Sequence, residues 1–301
     1  MDPSRRRFLI LSATAAGSLA LPVARATPPR PRTTVVRHIR PDGPGDLRND
    51  YFLALLRLAL EKTARRDGPF RLEAASSTIP QSRALSALDS GELIDVLWTM
   101  TTRRREAQVQ PVRIPLLRGL MGWRLPLIRR DDAARFAAVR SPADLRQLVA
   151  VQGHDWPDAD ILEANGLPVA RGGDYQGLFG MLALGRADYF PRAFNEPWSE
   201  LEVPGRDMLM VEPTLLLRYQ VDNYFFVSRH NRALGERIER GLRIAQADGS
   251  FEQVFRRHPV NARAFSLARL AQRRIIDLQN PLLPPETPLH DRSLWYRLPA
   301  G

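Results

Sequence analysis

Thr99, Thr101 and Thr102 stand beside a run of three arginines, Arg103–Arg105. A guanidinium is a planar, permanently charged fork that pairs two-handed with a carboxylate, and the pair strengthens where water is shut out. The nearby hydroxyls offer further hydrogen bonds. An arginine run is also what a solvated basic face looks like, and Arg103 and Arg104 fit that plainer description better. Trp98 can stack on a ligand or fill a core. A second group sits in Gly153-His-Asp-Trp-Pro157. Pro157 suits the first position of a helix, and a helix N-terminus turns free amides toward an anion. Asp155 and Asp158 complicate that picture: Asp158 reads as a helix cap, while Asp155 either caps or holds an ammonium. Trp156 either closes over a ligand or packs in a core. A third group is Arg192 with Glu196 four residues on. Arg192 either faces a cleft or pairs with Glu196 on one helical face. Gln81 and Arg83, at the start of a helix, can reach such a cleft from the side.

Other chemistries are absent. The chain of 301 residues has no cysteine, so disulfides, thiol nucleophiles and thiolate metal sites are excluded. Its five histidines share no ligand spacing, and it lacks Gly-x-Ser-x-Gly, His-Glu-x-x-His and phosphate-loop patterns. No catalytic residue, cofactor or metal is expected. The net charge is +11, with Lys62 the single lysine. Arginines are scattered along most helices beside acids, as in Glu236-Arg-Ile-Glu-Arg240, which describes a solvated surface and not a nucleic-acid face.

The elements that would position these groups show in an internal echo. Arg83–Asp95 and Gly177–Asp188 each read as an amphipathic helix, a glycine stop (Gly91, Gly185) and an aspartate opening a strand. A move made twice implies two similar α/β lobes, and the junction between lobes is where small ligands sit. Strands are expected at 33–39, 70–75 and 95–101, with helices at 48–63 and 81–90. A turn is expected at Pro41-Asp-Gly-Pro-Gly45. The apolar stretch 121–128 suits a crossing into the second lobe. There, helices are expected at 142–148, 157–164 and 175–184, and strands at 148–152, near 169 and at 188–190. Asn223–Ser228 returns to the first lobe. Helices follow at 231–247 and 251–258, and a proline-rich tail from Asn280 packs on the body through Leu283, Leu294 and Trp295. Alternating strands and helices argue a mainly parallel sheet.

Ser4-Arg-Arg-Arg-Phe-Leu9 matches a twin-arginine export pattern, and Ala24-Arg-Ala26 a cleavage site. Residues 1–26 therefore read as a signal peptide. The apolar run 8–23 is too short to span a bilayer comfortably. The remaining 275 residues carry +8 and suit one large domain or two moderate ones. Residues 27–32 read as an extended linker.

Together, Leu85-x-x-Leu-x-x-Gly-x-x-x-Asp95, Thr102-x-x-Arg105, the aromatic return strand and Gly241-Leu-Arg-Ile-Ala-Gln-Ala-Asp-Gly-Ser-Phe251 resemble the family 3, amino-acid-type periplasmic solute-binding proteins. The resemblance covers residues 33–258. It is nearest to a divergent branch of transporter substrate-binding domain proteins, marked by Asp155-Trp-Pro-Asp158, Asp188-Tyr-Phe-Pro-Arg192 and Tyr224-Phe-Phe-Val-Ser228. It implies an α/β fold of the periplasmic binding protein-like II class, with two lobes joined by two crossing strands and a ligand cleft between. Lobe 1 would hold residues 27–122 and 223–301, and lobe 2 residues 123–222. The function implied is capture of a small carboxylate-bearing solute by lobe closure, and delivery to an ABC-type permease. The alternatives are a sensor subunit for a membrane receptor, or a lyase-type enzyme on the same fold acting on a cyclic carboxylate. A periplasmic monomer is expected, with no nucleic-acid partner and no membrane insertion after cleavage. In the family an arginine at the position of Arg105 grips the ligand carboxylate. The family also carries an aspartate for the α-ammonium a few residues beyond the one matching Asp188, which itself reads as structural. Here that place holds Arg192, with Glu196 beyond. Two arginines closing from opposite lobes would favour an anionic ligand such as a dicarboxylate.

Overall fold

The computed structural model describes residues 33–40, 49–77, 79 and 81–298, without the side chains of Gln81 and Ser82. The stretches expected to form an export signal (1–26), a linker (27–32) and a turn (41–45) lie outside the described residues.

The first lobe begins with β1 (Thr34–His38), α1 (Asp50–Asp67) and β2 (Phe70–Ala74). β1 and β2 pair in parallel, Thr34 opposite Phe70. α1 follows the apolar stripe seen in the sequence and buries Tyr51, Phe52, Leu55, Leu56, Ala59 and Leu60. Next come α2 (Gln81–Ser90), β3 (Leu97–Met100), α3 (Arg103–Gln108) and β4 (Gln110–Val112).

The second lobe opens with β5 (Trp123–Arg129), followed by α4 (Ala133–Ala137), α5 (Pro142–Leu145), β6 (Ala150–Gly153) and α6 (Pro157–Ala164). It continues through β7 (Val169–Gly172), α7 (Tyr175–Ala183), β8 (Tyr189–Ala193), α8 (Pro197–Glu200), β9 (Leu209–Val211) and β10 (Leu215–Arg218). Then β11 (Asn223–Val227), α9 (Arg232–Ala247), α10 (Ser250–Arg257) and α11 (Pro259–Leu267) return to the first lobe. β12 (Arg274–Asp277) comes last.

The sheets are less parallel than the alternation suggests. β11 runs antiparallel between β3 and β4. The seven-stranded sheet has the order β12-β10-β5-β8-β6-β7, with β9 also on β5. β5 is antiparallel to β8, β9 and β10. The crossing strands enter each sheet from the other lobe, so they run against its βα units. β12 pairs in parallel with β10 on the second-lobe sheet, although the sequence reading placed residues 223–301 in the first lobe.

The echo is real in space. Gly91 and Gly185 both take a left-handed backbone, φ 67° and 71°. Asp95 Oδ2 accepts from the Arg37 amide at 2.8 Å, and Asp188 Oδ2 from the Val149 amide at 2.7 Å. Each aspartate thus stitches its own strand to the strand two before it in the chain, β3 to β1 and β8 to β6.

Two connectors join the lobes. Gly119–Gly122 leads into β5 and Tyr219–Asp222 into β11. They touch through backbone: a Cβ on Gly122 would lie 1.9 Å from the Tyr219 carbonyl oxygen, so only glycine fits. Asp222 ties them. Its Oδ1 accepts from the amides of Leu117 (3.1 Å) and Asn223 (2.6 Å), and its Oδ2 from Gly119. Burial pushes this carboxyl up to about 7, against the pull of the three amides. Among the described residues, no helix is long and apolar enough to cross a membrane.

Candidate functional site

A crevice of about 380 Å³ lies between the lobes. Its first-lobe wall comes from the end of β3, the start of α3 and the inner faces of α1 and α2. Its second-lobe wall comes from the β6–α6 turn, the Gly172-Gly173-Asp174 turn before α7, and the end of β8.

Arg105 reaches the crevice from α3. The helix has no apolar stripe; its start is set by Thr102, whose hydroxyl accepts from the Arg105 amide at 3.2 Å. Arg105 is only 8 % exposed. Its Nη1 donates to the Thr99 hydroxyl (2.8 Å) and the Met100 carbonyl (2.9 Å). Both acceptors are neutral, and no carboxylate among the described residues pairs with it. Burial pulls its pKa down to about 10, while the negative fields of Asp158 and Asp155 hold it up. The guanidinium therefore stays charged at neutral pH and faces two acids of the opposite lobe.

Trp98 is both core and wall. It donates through Nε1 to Asn49 Oδ1 at 2.9 Å, stacks on Phe52, and lines the crevice. Thr99 also lines it. Thr101 and Thr102 do not. Thr101 donates to Glu106 at 2.6 Å and Thr102 caps α3, so both hydroxyls are spent inside the first lobe. Arg83 is exposed and off the crevice, because α2 presents Ala84 and Leu85 there. Gln81 opens α2, but its side chain lies outside the described residues.

Across the crevice, Asp155 lies on the turn before α6, 4.0 Å from His154 Nδ1. Trp156 covers Gly153, where a Cβ would meet its ring at 2.6 Å, and it stacks on Phe190. It too is core and wall. Asp158 does not cap α6, whose N-cap is Trp156 with no side-chain bond. Asp158 is instead buried against Arg124 and accepts from the Tyr219 hydroxyl.

Arg192 lines the crevice but is fully engaged. Its Nε and Nη2 donate to Glu200 at 2.6–3.0 Å, and Nη2 lies 3.1 Å from Glu196. It also lies over the rings of Phe190, Trp156 and Tyr175. Burial opposes its charge, yet the two carboxylates outweigh that and raise its pKa. Facing the cleft and pairing with Glu196 were separate readings in the sequence, and the side chain does both. The two-arginine pincer fails on charge, since one of the two is already neutralised.

Sequence reasoning missed Arg124. It is 1 % exposed, donates to the Tyr219 hydroxyl at 2.8 Å, pairs with Asp158 and lies 3.7 Å from Glu196. The available signal was a lone charge inside the apolar stretch Trp123–Ile128. The Gly172–Asp174 turn was also missed; Asp174 caps α7 by accepting from Gln176 and Gly177 amides, both at 3.0 Å.

The chain matches no protein-family model and no curated protein. It is similar to many solved structures. One is a histidine kinase sensor domain resembling periplasmic binding proteins (20% identity, 75% of this chain, 95% of that one, TM-score 0.56). Another is a binding component of an ABC transporter from Wolinella succinogenes complexed with lysine (13%, 74% and 95%, 0.55). A third is an ancestral arginine-binding protein bound to arginine (16%, 73% and 96%, 0.54). The fold is thus the α/β periplasmic-binding-protein type II fold, as expected, and amino-acid-binding proteins are prominent among the structures that share it.

Proposed function

We propose that the chain is an exported periplasmic binding protein for a small zwitterion of the amino-acid class. Arg105 holds the carboxylate and Asp155, across the crevice, the ammonium. The observation that carries this reading is Arg105: a buried guanidinium on the crevice wall, with neutral partners and no ion pair among the described residues. The second wall supports a zwitterion over a dianion. Its two buried arginines are already paired with Asp158, Glu196 and Glu200. Among the described residues, lobe 1 takes in those up to 122 and those from 223 on without β12, and lobe 2 takes in 123–222 with it. Closure of the lobes over the solute shifts an open–closed population and signals occupancy. Delivery to an ABC-type permease fits the transporter relatives, and signalling to a receptor fits the similarity to a sensor domain.

A thermal-shift screen over amino acids and dicarboxylates tests this. An amino acid should raise the melting temperature of the wild type and leave Arg105→Ala unmoved. A shift from dicarboxylates alone, or equal shifts in both proteins, would refute it.

A further inference from the structure

The two connectors are not the only passages between the lobes. The chain crosses again after α11 and once more beyond β12. Ala264, Ala268 and Leu270 lie in a cluster drawn mostly from the first lobe that also takes in Trp123, Leu125, Phe194 and Leu216 of the second, whereas Ile276 and Leu278 lie in the second-lobe cluster. Between them Arg273, 8 % exposed, donates to the carbonyls of Ala268 (2.6 Å) and Leu215 (2.8 Å).

Beyond β12 the contacts change lobes within a few residues. Gln279 exchanges two hydrogen bonds with the Asn165 side chain of the second lobe, at 2.8 and 2.9 Å. Asn280 donates to the carbonyl of Gln220, on the connector, at 2.9 Å. The carbonyls of Leu282 and Leu283 then accept from the amide and Nε of Arg103, both at 3.0 Å. Arg103 is the first residue of α3, the helix that carries Arg105. Further on, the Tyr296 amide donates to the Arg118 carbonyl at 2.6 Å, and Trp295 covers Gly119 at the start of the first connector.

We propose that residues 278–296 form a strap that limits how far the lobes open, and so sets the resting position of Arg105 relative to the second wall. Opening the crevice moves α3 away from α6. The run from Gln279 to Leu282 is anchored at both ends, and three residues of chain advance at most about 11 Å. The solved structures described above are matched over 95–96% of their own length but only 73–75% of this chain, which leaves about a quarter of it outside the shared fold. The strap deepens the binding reading, since it regulates the same crevice.

The test needs no ligand. The chain has no cysteine, so Leu93→Cys with Leu184→Cys places one spin label on an exposed site of each lobe. Their distance distribution is measured by pulsed electron resonance in the full chain. It is measured again with Arg103→Pro and Asn280→Ala added. Proline suits the first position of α3, and Thr102 before it is already extended, so this change removes both donors of Arg103 while keeping the helix. The expected result is a narrow distribution in the parent and a broader, longer one in the variant, with unchanged circular dichroism. Superimposable distributions would overturn the proposal. Should the double change unfold the chain, Arg103→Ala and Asn280→Ala are read singly by the same criterion. Because no solute is added, a working strap in a protein that binds no amino acid would sink the binding reading alone. A protein that binds one, with distances unmoved, would sink the strap alone.

Discussion

Arg105 and Arg192 face one another's walls, are similarly buried, and do opposite jobs. Arg105 hydrogen-bonds a hydroxyl and a carbonyl, so its charge is left for something else. Arg192 spends its charge on Glu196 and Glu200 and its flat face on three aromatic rings. Burial alone therefore does not separate a binding arginine from a structural one. The partners do, and a buried cation whose acceptors among the described residues are neutral is the one built to wait for an anion.

The largest effect should come from breaking the structural member. Arg192→Ala leaves Glu200, itself 4 % exposed, facing Tyr175 without its cation. Removing one partner of a buried pair costs about 3–5 kcal/mol. Urea unfolding should show that loss, and Glu200→Gln added to Arg192→Ala should recover part of it. Arg105→Ala should cost only about 1 kcal/mol, because the loss of its hydrogen bonds to neutral acceptors is offset by removing a buried cation without a counter-ion among the described residues. Equal losses from the two alanine variants would erase the distinction.

Binding should reverse the order. For an amino acid that stabilises the wild type, Arg105→Ala should weaken affinity by about 2–3 kcal/mol, roughly 30- to 150-fold, by calorimetry. Arg105→Lys should rescue little, because an ammonium cannot offer the two-handed fork. Asp155→Asn should cost up to about fivefold, as a more exposed partner does. An Asp155→Asn variant that binds like wild type would move the ammonium site elsewhere on the second wall.

The sequence carried one side of this contrast better than the other. The lobes were legible because each βα unit repeats an apolar stripe, a glycine exit and an aspartate. The elements that went unread lack such periods: α3 is half arginine, β10 is a leucine run, and β12 has four residues. Arg105 was legible because its neighbours in sequence are its neighbours in space. Arg192 was only half legible, since its main partner Glu200 lies a full turn past the expected Glu196. Arg124 depends on Asp158 and Tyr219, which only the fold brings to it. Thr101 and Thr102 misled for the opposite reason: adjacency in sequence put them near Arg105, while the turn into α3 points them inward.

Asp222 extends the comparison to a buried carboxyl that has no counter-ion among the described residues, here where the two connectors meet. Its acceptors are filled by three backbone amides, yet burial still raises it from 3.8 to about 7. The folded chain thus holds this proton more tightly than the unfolded one. The stability it contributes is fully present below pH 4 and is lost as pH rises toward 7. From pH 6 to pH 7 the loss should be about 1 kcal/mol. Asp222→Asn should remove that slope, because an amide does not titrate, while lowering stability overall where its NH₂ meets the Gly119 amide. Melting curves of both proteins between pH 4 and pH 8 separate the cases. A wild type whose stability is flat or rising through this window would mean that the amides outweigh burial, and that Asp222, like Arg192, has its charge already satisfied.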